Sequence, residues 1–169
     1  MEATVKLYSY DYSNVRTYLS ASLFVLGNLL LPQVCHLVPQ GGMILLPIYF
    51  FTLIGAYKYG WRVGLITALL SAPINSLFFG MPMPVVLPAI LAKSVLLALA
   101  AGVAAAYFKR ISIPILLLVV LSYQLVGTLI EWLLVGNLNM AVQDFRIGLP
   151  GMALQVFGGY LVIKYLIKR

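Results

Sequence analysis

The sequence predicts an all-α membrane protein, a bundle of six transmembrane helices with both termini on the cytoplasmic side. Three observations predict it. Hydrophobic residues make up 63% of the chain and charged residues 9%, whereas a soluble domain is about half apolar and roughly 25% charged. A soluble fold of 169 residues leaves too much surface exposed to hide such a composition, so lipid is the solvent for most of it. Apolar stretches then recur along the chain at lengths near the ~20 residues that carry a helix across the hydrocarbon core, shorter where neighbours shield the segment. Finally, the cations collect at alternate breaks between those stretches.

The chain reads as one integral membrane domain. Residues 1–16 form a polar, tyrosine-rich cytoplasmic segment without the basic, apolar and cleavage regions of a removable signal peptide. The spans are expected at about 17–37, 43–57, 61–79, 83–107, 111–134 and 148–167. VPQGG at 38–42 suits a turn, since it joins a proline to paired glycines. KYGWR at 58–62 and YFKRIS at 107–112 put cations where the chain is expected to meet water. GMPMP at 80–84 cannot continue a regular helix, because each proline removes a backbone donor and clashes with the preceding turn. Residues 135–147 are the most polar internal segment.

Charge placement sets the expected orientation. With the N-terminus inside, Lys6, Arg16, Lys58, Arg62, Lys109, Arg110, Lys164, Lys168 and Arg169 fall on the cytoplasmic side, nine of the eleven cations. Arg146 falls outside and Lys93 lies within the fourth span. The positive-inside rule requires this imbalance and the reverse orientation violates it in every loop. The net charge of +7 is therefore an orientation signal and does not mark a nucleic-acid partner.

Lys93 is the most informative polar group. A charge at mid-membrane depth is costly, so it faces a bundle interior or a wet cavity and has a partner. The sequence offers three readings: an ion pair with Glu131, the only internal carboxylate within plausible reach; snorkelling to the outer surface; or binding of an anionic or strongly polar substrate group beneath a lid formed partly by GMPMP. Glu131, Trp132, Asn137, Asn139, Gln143, Asp144 and Arg146 form the richest polar and aromatic cluster, at the predicted outer end. Trp132 is equally an interface anchor, and Asp144 with Arg146 reads as a solvated loop pair. Asn75, Gln124 and Gln155 are intramembrane amides, open between interhelical hydrogen bonding and pocket lining. His36, beside the single cysteine Cys35, is a polar lid contact or a lone axial ligand to a metal-containing substrate. One cysteine excludes an intramolecular disulfide and a CxxC metal site. Small residues Ser20, Ala21, Ser22 and Gly27 on the first span serve packing within the chain or an outward docking face. There is no HExxH, GxSxG or GxxxxGK[ST], and only four carboxylates occur, so no enzyme activity is expected.

The stretch from Ile54 to Gly102, IGAYKYGWRVGLITALLSAPINSLFFGMPMPVVLPAILAKSVLLALAAG, resembles the substrate-binding (S) components of energy-coupling factor (ECF) transporters. Gly55, Gly60 and Gly64 match the glycine pattern across their second and third helices, and GMPMP followed by Lys93 matches the loop and fourth helix that reach the ligand pocket. The resemblance implies high-affinity binding of a vitamin or related micronutrient near the extracellular face, in the plasma membrane of a bacterium or archaeon. It also implies a transmembrane coupling subunit and two cytoplasmic ATPases as partners, with ATP used by those partners and no cofactor in this chain. Ala21 is followed four places on by Val25, a departure from the AxxxA docking pattern of that family's first helix. The alternative is a six-span scaffold protein whose polar residues serve packing alone.

Overall fold

The computed structural model describes residues 6–166. It is helical, with no strand among the described residues. Five helices are long and apolar enough to cross a membrane: α1 (Val15–Cys35), α4 (Trp61–Phe79), α5 (Leu87–Phe108), α6 (Ile113–Val135) and α9 (Leu149–Leu166). Their edges fall within a few residues of expectation, apart from α5, which starts at Leu87 because GMPMP and the residues after it stay non-helical. Residues 1–5 and 167–169, with part of the expected N-terminal segment, the last residue of the sixth span and the cations Lys168 and Arg169, lie outside the described residues.

The expected second span is not one helix. It divides into α2 (Gly41–Leu45), a 3₁₀ turn (Pro47–Tyr49) and α3 (Phe50–Tyr59). The cause lies in Leu46-Pro47, where proline lacks a donor and disfavours the α conformation in the residue before it. Leu46, at φ 47° and ψ 47°, leaves the right-handed helical region and breaks the segment there. At about 1.5 Å per residue, the 10 residues of α3 are too short to cross a bilayer alone. Instead α3 is the buried centre of the bundle, with Leu53, Ile54, Ala56 and Tyr57 all at 0% exposure.

Small residues let the helices around α3 approach it and one another closely. A Cβ on Gly64 of α4 would come within 2.3 Å of the Ala56 Cβ, and one on Gly102 of α5 within 2.4 Å of the Trp61 Cβ. Gly55 faces the Phe24 ring and Gly27 the Phe51 ring, while Ala21 is fully buried. Ala21 and Gly27 of α1 therefore pack inside the chain, while Ser20 is half-buried and Ser22 exposed. Gly60, at φ 104°, makes the turn from α3 into α4, a conformation that a side chain resists. A buried amide, Asn28, fastens α1 to α3 and α4. Its Nδ2 donates to Thr52 Oγ1 and Ser71 Oγ, both at 3.0 Å, and its Oδ1 accepts from the Phe51 N–H at 3.2 Å.

At one end of the bundle the N-terminal segment lies across α3: the Tyr8 and Tyr10 N–H groups donate to the Lys58 and Tyr59 carbonyls at 2.8 and 3.1 Å. Lys58, expected to meet water, is fully buried beneath it and donates to the Lys6 carbonyl at 2.7 Å. At the opposite end the polar segment expected as an outer loop folds into two short helices, α7 (Leu138–Ala141) and α8 (Gln143–Ile147). Gly136, at φ 70°, ends α6 and turns the chain into them.

Candidate functional site

Three elements converge on the Lys93 ammonium. Lys93 lies on α5 and is 1% exposed. Its Nζ donates to Glu131 Oε2 on α6 and to Asp144 Oδ2 on α8, each at 2.5 Å. The two carboxylate side chains keep 14% and 25% exposure, so they separate the ammonium from the outer surface. With one cation and two anions the cluster carries a formal charge of −1. This arrangement corrects two expectations. The loop pair of Asp144 with Arg146 does not form, because Asp144 turns to Lys93 while Arg146 is exposed. Nor was Glu131 the only carboxylate within reach.

The α6 side of the site is a single helical face. Gln124, Gly127, Thr128 and Glu131 stand at i, i+3, i+4 and i+7, the spacing that aligns side chains along one stripe. Gly127 supplies a notch for the Lys93 stem: a Cβ there would lie 2.5 Å from the Lys93 Cγ. Two turns along the stripe, both amide atoms of Gln124 are buried without a hydrogen-bond partner, as is the Thr128 hydroxyl. Gln155, on α9, accepts from the Tyr123 hydroxyl at 2.9 Å, while its Nε2 is buried and unpartnered. Gln155 lies in a π-turn, Leu154–Gly158, of the kind often found where a helix carries function. Tyr49 packs on Tyr123 with ring centroids 5.5 Å apart. Buried polar atoms are normally paired, so four unpartnered ones, three of them on the α6 stripe that leads to Glu131, form an unusual concentration of unused donors and acceptors.

The remaining expected residues take structural places. Trp132 is 42% exposed on the outer surface of α6, which suits an interface anchor. Asn137 caps α7, its Oδ1 accepting from the Asn139 and Met140 N–H groups at 3.0 and 3.3 Å. Asn75 accepts from Gln33 at 3.1 Å, joining α4 to α1. His36 lies at the end of α1, where the Pro32 carbonyl accepts from its Nδ1 at 2.6 Å. Among the described residues no three His, Cys, Asp or Glu side chains gather as a metal-ligand set. The group that covers Lys93 comes from α8 rather than from GMPMP, whose Met81 and Met83 are exposed. A space of about 500 Å³ lined by Asn139, Gln143, Arg146 and Ile147 opens beside α8.

Gly127, Thr128, Tyr49 and Tyr123 were not singled out from sequence. Counting back three and four positions from Glu131 would have found the first two; the tyrosines carry no such signal. No family model, curated protein or solved structure matches the chain.

Proposed function

We propose that this chain is a solute-binding component of an uptake system, holding a small polar molecule in the outer half of the bundle. The observation that carries the reading is the set of unpartnered buried groups on Gln124 and Thr128, along the α6 stripe that leads to Glu131 of the Lys93–Glu131–Asp144 triad, and on Gln155 of α9. Small-molecule sites combine an apolar and aromatic lining with a few convergent polar groups, and Tyr49 and Tyr123 supply the aromatic part. The triad closes the site on its outer side. A solute reaches the amides by taking the place of Asp144 at Lys93, which frees α8.

In this reading the chain crosses the membrane six times, α2 and α3 together making the broken second crossing, with both termini cytoplasmic, an orientation that the cation distribution supports. It captures its solute without chemistry of its own. The resemblance to ECF S components extends the reading to a vitamin-like micronutrient, a transmembrane coupling subunit and two cytoplasmic ATPases, in a bacterial or archaeal plasma membrane.

One observation favours the scaffold reading, in which the triad is a packing device: Lys93 is paired with two carboxylates of the chain itself. Mass spectrometry of small molecules retained by the purified protein, followed by calorimetry with the molecule found, separates the two. Lys93→Ala and Glu131→Ala are expected to weaken binding at least tenfold, about 1.4 kcal/mol. Full affinity in both variants would remove the site, and an empty protein with a cell-shape phenotype on deletion would favour the scaffold.

A further inference from the structure

At the end of the bundle opposite the triad, a groove of about 340 Å³ runs between the N-terminal segment and α1, lined by Tyr8, Tyr10, Arg16, Leu19, Ser20 and Tyr59. We propose that it is a headgroup site for an anionic phospholipid of the adjoining leaflet.

The donors suit a phosphate. Arg16 offers a planar guanidinium that binds phosphate oxygens two at a time, and Ser20 and the three tyrosines add hydroxyls. The tyrosines form a compact group, with Tyr8 and Tyr10 ring centroids 5.8 and 5.6 Å from that of Tyr59. Behind them the charge is unbalanced. The Lys6 and Lys58 ammonium groups lie 5.4 and 5.5 Å from the Tyr8 ring centroid, and the buried Lys58 has a backbone carbonyl as its hydrogen-bond acceptor. Asp11 is the only carboxylate at this end among the described residues, and Arg62 takes it at 3.3 Å. Lys6, Arg16 and Lys58 thus leave an excess of positive charge that an anion would neutralise.

The apolar half of the ligand follows from α1. Leu19, which lines the groove, begins a stripe of exposed leucines through Leu23, Leu26 and Leu30, spaced at i, i+4, i+7 and i+11. This stripe runs from the groove along a helix apolar enough to cross the membrane, the path an acyl chain takes when its headgroup sits in the groove. Basic pockets between membrane helices on one face of a bilayer recognise anionic headgroups by this combination. A free phosphate would use the same donors and leave the leucine stripe without a role.

The test uses the full chain in neutral detergent, titrated separately with dioctanoyl phosphatidylglycerol, dioctanoyl phosphatidylcholine and inorganic phosphate, with bound ligand counted by native mass spectrometry. The anionic lipid is expected to bind at least about tenfold more tightly than the zwitterionic one. Arg16→Gln, an exposed change, should reduce that binding about fivefold, while Arg146→Gln at the opposite end should not alter it. Equal binding of the two lipids, or undiminished binding by Arg16→Gln, would overturn the assignment. Inorganic phosphate binding as tightly as the anionic lipid, with the same sensitivity to Arg16→Gln, would also overturn it in favour of a free-phosphate site.

Discussion

Lys93 shows how far one residue's chemistry can be read in advance. A lone cation inside an apolar run demands a partner, and Glu131, on the neighbouring long helix, was a legible choice. Asp144 was not, because its reach depends on how α7 and α8 fold back over α5. Removing one member of a buried ion cluster leaves the others uncompensated, at a cost of about 3–5 kcal/mol. Lys93→Met is therefore expected to destabilise the protein by that amount in detergent unfolding titrations. The neutral combination Lys93→Met, Glu131→Gln and Asp144→Asn is expected to regain more than half of it, since no unpaired charge remains. Gly127 tests the same site by volume. Gly127→Ala places a methyl group against the Lys93 stem and should lower stability by about 1–3 kcal/mol, the usual cost of overpacking, read as a reduced melting temperature.

Among the elements, α8 and α3 depart furthest from the sequence reading. A five-residue helix has little stability of its own, so α8 depends on its attachments, and the Asp144 to Lys93 contact is its ionic one. Asp144→Asn should loosen α8 and raise the rate of trypsin cleavage after Arg146 severalfold, followed by mass spectrometry of the fragments. Glu131→Gln, on the 23-residue α6, should leave that rate near the parent value. Equal nicking in both variants would show that Asp144 does not latch α8. For α3 the sequence reading passed over Pro47 and joined what the proline divides. Its anchoring by Asn28 predicts that Asn28→Leu, which removes the acceptor of the Phe51 N–H and the amide donor to the Thr52 and Ser71 hydroxyls, costs about 1–2 kcal/mol in unfolding titrations.

At the scale of the whole molecule, orientation and the number of crossings are the properties to test. In a Cys35→Ser background, Arg146→Cys should react with an impermeant maleimide in intact cells, whereas Arg110→Cys should react only after the membrane is opened. The reverse pattern would invert the topology. The two ends also differ in charge. At the triad end the cluster of formal charge −1 is offset by Arg146, while Lys6, Arg16, Lys58, Arg62, Lys109 and Arg110 gather at the other end, where Asp11 is the one carboxylate among the described residues. That asymmetry is an additive property of positions along the chain, and so it was open to sequence reading.

The sequence by itself determined the solvent, the helical class and the long apolar segments, because each follows from composition summed over a window of neighbouring residues. It also marked Lys93, Glu131, Gln124 and Gln155 as anomalies, since a polar group in an apolar run stands out locally, whereas Asp144 belongs to a polar segment and reads there as a loop pair with Arg146. The tertiary structure decided which anomalies meet. Lys93 lies 38 residues from Glu131 and 51 from Asp144, and contacts over such separations depend on helix rotation and on the close approaches set by Gly64, Gly102 and Gly127. Trp132, Asn137, Asn75 and His36 were as conspicuous in the sequence, yet the same rotations turned them to the surface, to a cap or to another helix, because a helix one residue wide in pattern has sides that only its neighbours distinguish.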